Sequence, residues 1–155
     1  QRPYAIVVTC SDSRVIPEAI FCAGLGELFI IRVAGNVIDN HQLGSIEYAA
    51  AHLDCRMIIV LGHTKCGAVA AAMEGHNDDA EGYIKYITGE IHKAIKGETD
   101  DRKACILNVE RSVRLIENGF KHHPEINCDK LDVVGAVYDI ETGKVDWLDL
   151  SDDML

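Results

Sequence analysis

Four short runs of branched apolar residues recur along the chain: Tyr4–Thr9 (YAIVVT), Leu28–Val33 (LFIIRV), Met57–Leu61 (MIIVL) and Leu131–Tyr138 (LDVVGAVY). They do not alternate cleanly between apolar and polar residues, so each reads as a strand covered on both faces, which is the signature of parallel pairing. Between them the period lengthens. His41–Leu53 places Leu43, Ile46, Ala50 and Leu53 on one helical face, and Ile106, Val109, Val113, Ile116 and Phe120 recur at three-and-four spacing before Gly119 and Pro124 punctuate the end. Strand then helix, repeated, predicts an α/β fold whose central sheet is mostly parallel and flanked by helices, with about four parallel strands.

Two segments depart from that rhythm. Glu141-Thr142-Gly143-Lys144 is a turn signal between short strand-like runs in Tyr138–Leu148, so the last strand is expected to return antiparallel at an edge. Glu74–Arg102 is polar, acidic and punctuated by Gly75, Gly82, Gly89 and Gly97. Ile84, Ile87, Ile91 and Ile95 still share one face, which predicts a peripheral, solvent-facing helix between turns. No repeat or compositional break divides the chain, and residues 1–155 read as one domain.

Composition narrows the partners. With 15 Lys+Arg against 25 Asp+Glu the formal charge is −10, and no basic block is present, which argues against nucleic acid or an anionic membrane as a partner. Small, neutral or metal-bound ligands fit better. At 155 residues the chain can bury roughly 70% of its unfolded surface, so it needs no disulfide staples. The six cysteines, with an adequate apolar core and no signal peptide, are therefore expected to be reduced and the protein cytoplasmic. The chain opens Gln1-Arg2-Pro3 and enters a strand almost at once, an opening that points to missing upstream residues.

The chemistry is concentrated where two strands end. The first runs into Cys10-Ser11-Asp12-Ser13-Arg14 and the third into Gly62-His63-Thr64-Lys65-Cys66-Gly67. Ligand sites in open parallel sheets lie outside the carboxyl ends of the strands, so both clusters are expected on one edge. Cys66 precedes the helix-like GAVAAAM stretch, whose free amides favour a thiolate. Cys10, His63 and Cys66 form a two-thiolate, one-imidazole set suited to tetrahedral zinc with one position open. Such a centre is nearly neutral and polarises water less than a three-imidazole site, so a helper is needed. Asp12 can accept the proton of a metal-bound hydroxide and aim its lone pair at a substrate, while Arg14 clamps Asp12 and keeps it ionised. If Arg14 lets go at low pH, Asp12 can itself ligate the metal, an off state relieved as pH rises. Ala34, Gly35 and Gly67 are the expected substrate wall, with the Gly67 amide a candidate donor. Cys22, Cys55, Cys105 and Cys128 read as ordinary structural residues. Gly62 and Gly67 have the spacing of a phosphate loop, but Ala68 and Val69 replace its Lys and Ser/Thr, and Gly24-Leu25-Gly26 precedes a strand instead of following one.

CSDSR at Cys10–Arg14, IIRVAGN at Ile30–Asn36, GSIEYAA at Gly44–Ala50, VLGHTKCGAV at Val60–Val69 and the closing VVGAVYDIETG together resemble the β-class carbonic anhydrases. The resemblance implies zinc on Cys10, His63 and Cys66, an Asp12–Arg14 dyad, hydration of carbon dioxide to bicarbonate, and a homodimer or dimer of dimers. Hydrolysis of carbonyl sulfide or carbon disulfide on the same fold, and a non-catalytic zinc domain that senses bicarbonate, are the competing readings. Family members usually carry helices before the first strand, an arm this chain is expected to lack. Val33 stands where many relatives have Asn. Val7 stands where some bacterial members have the Trp of an inhibitory bicarbonate pocket, although Arg32 and Tyr138 match other parts of it.

Overall fold

The computed structural model describes residues 1–75, 82–124, 126 and 130–150. Five strands form one sheet in the order β2-β1-β3-β4-β5: β1 Ala5–Thr9, β2 Leu28–Arg32, β3 Met57–His63, β4 Asp132–Tyr138 and β5 Val145–Trp147. β1 pairs in parallel with both β2 and β3, β3 pairs in parallel with β4, and β5 returns antiparallel on β4. The expected four parallel strands and antiparallel edge are therefore present. β3 runs two residues past the predicted Leu61, because β4 continues beside it as far as the Gly62–Val137 and His63–Tyr138 pairs. That extension places His63 at the end of a strand and not in a loop.

Helices fill the connections: α1 Pro17–Ile20, α2 Asn40–His52, α3 Gly67–Met73, α4 Ile84–Ile95 and α5 Asp101–Phe120, with a 3-10 turn at Ala34–Asn36. Asp39 caps α2, accepting from the His41 amide while Gln42 reaches back to the Asp39 amide, so the helix starts one residue before the predicted His41. Asp100 caps α5 through the Lys103 amide. That helix begins five residues before its apolar stripe does, since its first turn is polar. Gly119 lies inside α5, whose last residue is Phe120.

One face of the sheet presents Ile6, Val8, Ile58 and Val60 to Ile46 and Ala49 of α2 and to Val109, Val113 and Ile116 of α5. The other presents Ala5, Val7, Ile59, Leu61 and Ala136 to Val15, Ile20 and Phe21. Both faces of β1 are thus covered, as its unbroken apolar run requires. α4 forms where its isoleucine spacing predicts, yet it is less peripheral than its polar segment suggests. Ile91 and Ile95 are buried with Val69, Ala72 and Ala104, while Ile84 is exposed. Glu90 accepts from Lys93 and from Arg111, tying α4 to α5. Among the described residues, no helix is long and apolar enough to cross a membrane. Cys55 and Cys105 are buried free thiols and Cys22 is an exposed one; Cys128 lies outside the described residues.

Candidate metal centre

The chain places β2 on one side of β1 and β3 on the other, so the crevice beyond the carboxyl ends of β1 and β3 is a topological switch point. Cys10 follows β1, His63 ends β3, and Cys66 is the residue on which α3 starts. One ligand atom from each of the three lies within 4.8 Å of the others, and all three residues are buried. Two clusters 53 positions apart in the chain thus close on one point, as the strand ends require.

The donor set fits a metal ion. His63 Nδ1 is 2.9 Å from the Thr64 carbonyl, which can only accept, so Nδ1 carries the proton and Nε2 presents its lone pair. Nε2 is fully buried and has no hydrogen-bond partner, a costly arrangement unless a cation takes that lone pair. The Cys10 thiol is held down to about 4, chiefly by a hydrogen bond from Cys66, with the adjacent His63 ring and the Gly35 and Asp12 amides acting in the same direction against burial. Cys66 is pushed up for the complementary reason: it keeps its proton and gives it to Cys10, although the Ala68 and Val69 amides pull the other way. The Ala68 and Val69 amides are the thiolate-favouring donors expected at Cys66, set here against burial and its contact with Cys10. Burial pushes His63 down, and the adjacent Cys10 thiolate outweighs it. A cation entering here displaces protons from Cys66 and from any charged His63, the usual coupling of metal binding to ionisation.

Asp12 lies at the rim. Its Oδ1 accepts from Arg14 Nε at 2.9 Å and from the Arg14 amide at 2.9 Å, and its Oδ2 accepts from Arg14 Nη2 at 2.7 Å. This two-pronged grip holds the carboxyl well below the usual range, so Asp12 stays ionised and can only accept. Oδ2 is 3.9 Å from His63 Nε2. Arg14 also donates to the Lys65 carbonyl at 3.1 Å, joining the two strand-end loops. In this arrangement Asp12 belongs to the guanidinium, and the three converging groups that could hold a metal are Cys10, His63 and Cys66.

Arg32 extends from β2 and donates to the Cys10 carbonyl at 3.1 Å and the Asp12 carbonyl at 2.7 Å. It braces the loop that carries Cys10 and the Asp12–Arg14 ion pair, a role its place after LFII did not announce. Lys65, at φ 55, donates its amide to Asp101 Oδ2 at 3.0 Å, which anchors the second loop to the start of α5. The doubled acid Asp100-Asp101 ahead of a helix is the signal that could have found this contact. Of the expected wall residues, Gly35 is buried and its amide is engaged by Cys10 Sγ at 3.2 Å, so that donor is not free for substrate. Ala34 is half-buried, and a methyl group built on Gly67 would meet nothing within 4 Å. Val7 is wholly buried in β1.

Residues 5–145 match the family model described as carbonic anhydrase. Carbonic anhydrase 2 of Mycobacterium tuberculosis is 36% identical over 152 residues, covering 93% of this chain and 73% of that relative. Among solved structures, the β-carbonic anhydrase of Coccomyxa superposes with a TM-score of 0.81 at 30% identity, over 96% of this chain and 72% of that one. A chain from the tetrameric β-carbonic anhydrases of Sordaria macrospora superposes with a TM-score of 0.76 at 25% identity, over 96% and 81% respectively.

Proposed function

The chain belongs to the β-carbonic anhydrase family, and on that premise we propose that it hydrates carbon dioxide reversibly to bicarbonate and a proton, with zinc held by Cys10, His63 and Cys66. The observation that carries the reading is the convergence of those three buried ligands beside an ionised carboxylate locked in an arginine fork. When bound, zinc supplies Lewis acidity that brings the pKa of coordinated water from 15.7 towards about 7.

The protein's own groups do the rest. Asp12, unable to donate while Arg14 holds it ionised, accepts a hydrogen bond from the attacking oxygen and so turns that oxygen's lone pair toward the carbon of carbon dioxide. Arg14 fixes the carboxylate's direction and, through the Lys65 carbonyl, its distance from the loop bearing Cys66. His63 keeps Nε2 toward the site because its other nitrogen is committed to Thr64. Val37, Val69 and Ile91 line the buried cluster around the cysteines and keep it dry, which strengthens each of these electrostatic contacts. Ala34, Gly35 and Gly67 form the substrate wall, with the Gly67 amide the donor to substrate, since the Gly35 amide is given to Cys10. Stopped-flow hydration of carbon dioxide by the zinc-loaded protein tests the reading, run beside turnover of carbonyl sulfide and carbon disulfide. Fast proton release with carbon dioxide is expected. Turnover of only the sulfur gases would move the assignment to their hydrolysis, and zinc binding without any turnover would leave a bicarbonate-sensing domain.

The assembly is read as a homodimer or a dimer of dimers. β2 ends the sheet with no strand on its outer side among the described residues, and Leu28, Phe29 and Ile30 along it are only half-buried, an edge that favours cover by another copy. Light scattering is expected to return two or four times the 17.0 kDa chain mass; a single-chain mass at micromolar concentration contradicts this assembly. Residues 1–155 act as one zinc domain in this reading, working in the cytoplasm, where the thiols stay reduced.

A further inference from the structure

The 3-10 turn Ala34–Asn36 lies between the cysteines and α5, and both of its sides are engaged. Toward the centre, the Gly35 amide donates to Cys10 Sγ at 3.2 Å. Toward the helix, the Gly35 carbonyl accepts from Asn108 Nδ2 at 2.7 Å and the Asn36 carbonyl accepts from Ser112 Oγ at 3.0 Å. Asn108 and Ser112 sit one turn apart on α5, each 2% exposed, on the face that carries Cys105, Val109 and Val113. A carboxamide buried among apolar neighbours is costly unless its hydrogen bonds are made. Here the bond made is to Gly35, whose own amide donates to Cys10 Sγ.

Gly35 cannot be replaced by a residue with a side chain, for two independent reasons. Its φ is +68, and a Cβ there would stand 2.6 Å from Ile91 Cδ1 and 3.1 Å from Ala68 Cβ. The turn is thus pressed between α3, α4 and α5, and Asn108 sets how it is oriented. The electrostatic consequence concerns the weakness of the ligand set. Two thiolates and a neutral imidazole cancel a divalent charge, leaving a centre that polarises water poorly. An amide proton directed at one thiolate draws negative charge from that sulfur and returns positive character to the ion.

We propose that Asn108 is a positioning residue of the metal centre, which through its bond to Gly35 keeps the Gly35 amide on the Cys10 sulfur and so tunes that thiolate as a ligand. The inference rests on the zinc reading above and extends it to α5, 98 positions along the chain from the ligand it serves.

The test is spectroscopic. In protein loaded with cadmium-113, a scalar coupling between the metal and the Gly35 amide proton, carried across the hydrogen bond to Cys10, is expected. In Asn108→Ala that coupling is expected to vanish, the thiolate-to-cobalt charge-transfer band of the cobalt form to move to longer wavelength, and zinc affinity in a chelator competition to fall roughly 10–100-fold. Val113→Ala removes buried volume from the same helix without touching the turn, so it is expected to lower stability and leave coupling and band in place. Should Asn108→Ala not fold, Asn108→Ser is the second variant, and the coupling in the unmodified protein decides on its own. Absence of that coupling, or an Asn108 variant that retains it with an unmoved cobalt band, overturns the assignment. A protein that takes up none of the three metals counts instead against the zinc reading.

Discussion

Cys66→Ser is expected to leave a folded protein that retains no zinc after dialysis and hydrates carbon dioxide no faster than buffer. Serine is nearly the same size as cysteine, and the residue it replaces is the one on which α3 starts, a position where a hydroxyl is favoured. Its O–H can also give Cys10 a hydrogen bond in place of the one from the Cys66 thiol. The fold therefore loses little. The metal loses a soft anionic ligand, and a hydroxyl does not ionise in its place. Melting curves with and without zinc separate the two effects. The unmodified protein should gain about 2.7 kcal/mol when free zinc stands at a hundred times its dissociation constant, whereas Cys66→Ser should not respond. A variant that still melts higher with zinc and still turns over would remove Cys66 from the ligand set.

Asp12→Asn separates binding from catalysis. Asp12 is not among the three converging ligands, so zinc content should be unchanged. The carboxamide presents an N–H₂ where one oxygen of the fork stood, against a guanidinium that offers only donors, and it carries no charge with which to orient an attacking oxygen. Turnover is expected to fall by roughly 10²–10⁴-fold, the contribution of a well-placed acid–base group. Stability should change by less than about 1 kcal/mol, since Arg14 is half exposed and an ion pair in contact with water contributes little. Near-normal turnover in a fully zinc-loaded Asp12→Asn protein would strip the dyad of its role.

Much of this architecture was legible in the residues, and what was hidden has definite causes. The strands of the sheet announced themselves because a strand covered on both faces, like β1, must be apolar throughout. The convergence of Cys10, His63 and Cys66 was legible because side chains at the ends of neighbouring parallel strands must meet, which depends on register and not on distant contacts. The depth of α4 was not visible. Its isoleucine stripe was plain, but the polar residues around it suggested a solvent-facing helix, and only the tertiary fold brings Ile91 to within 2.6 Å of where a Gly35 side chain would begin. The opposing influences on Cys66 were not legible either, because the helix amides that favour its thiolate act against burial and the adjacent Cys10, which only the fold brings to it. Asn108 and Ser112 carried no motif at all. Their partners Gly35 and Asn36 lie 73 and 76 positions away, and contacts at that range become readable only once the helix is laid on the sheet.

The central claim is that two sulfurs and one imidazole nitrogen of a single chain share one zinc ion. X-ray absorption at the zinc edge, on protein whose metal content has been measured, tests it most directly. One zinc per chain, with two sulfur neighbours and an imidazole scattering pattern, is the result predicted by Cys10, His63 and Cys66. A zinc site with four light-atom neighbours, or zinc absent from folded protein supplied with it, would contradict the account.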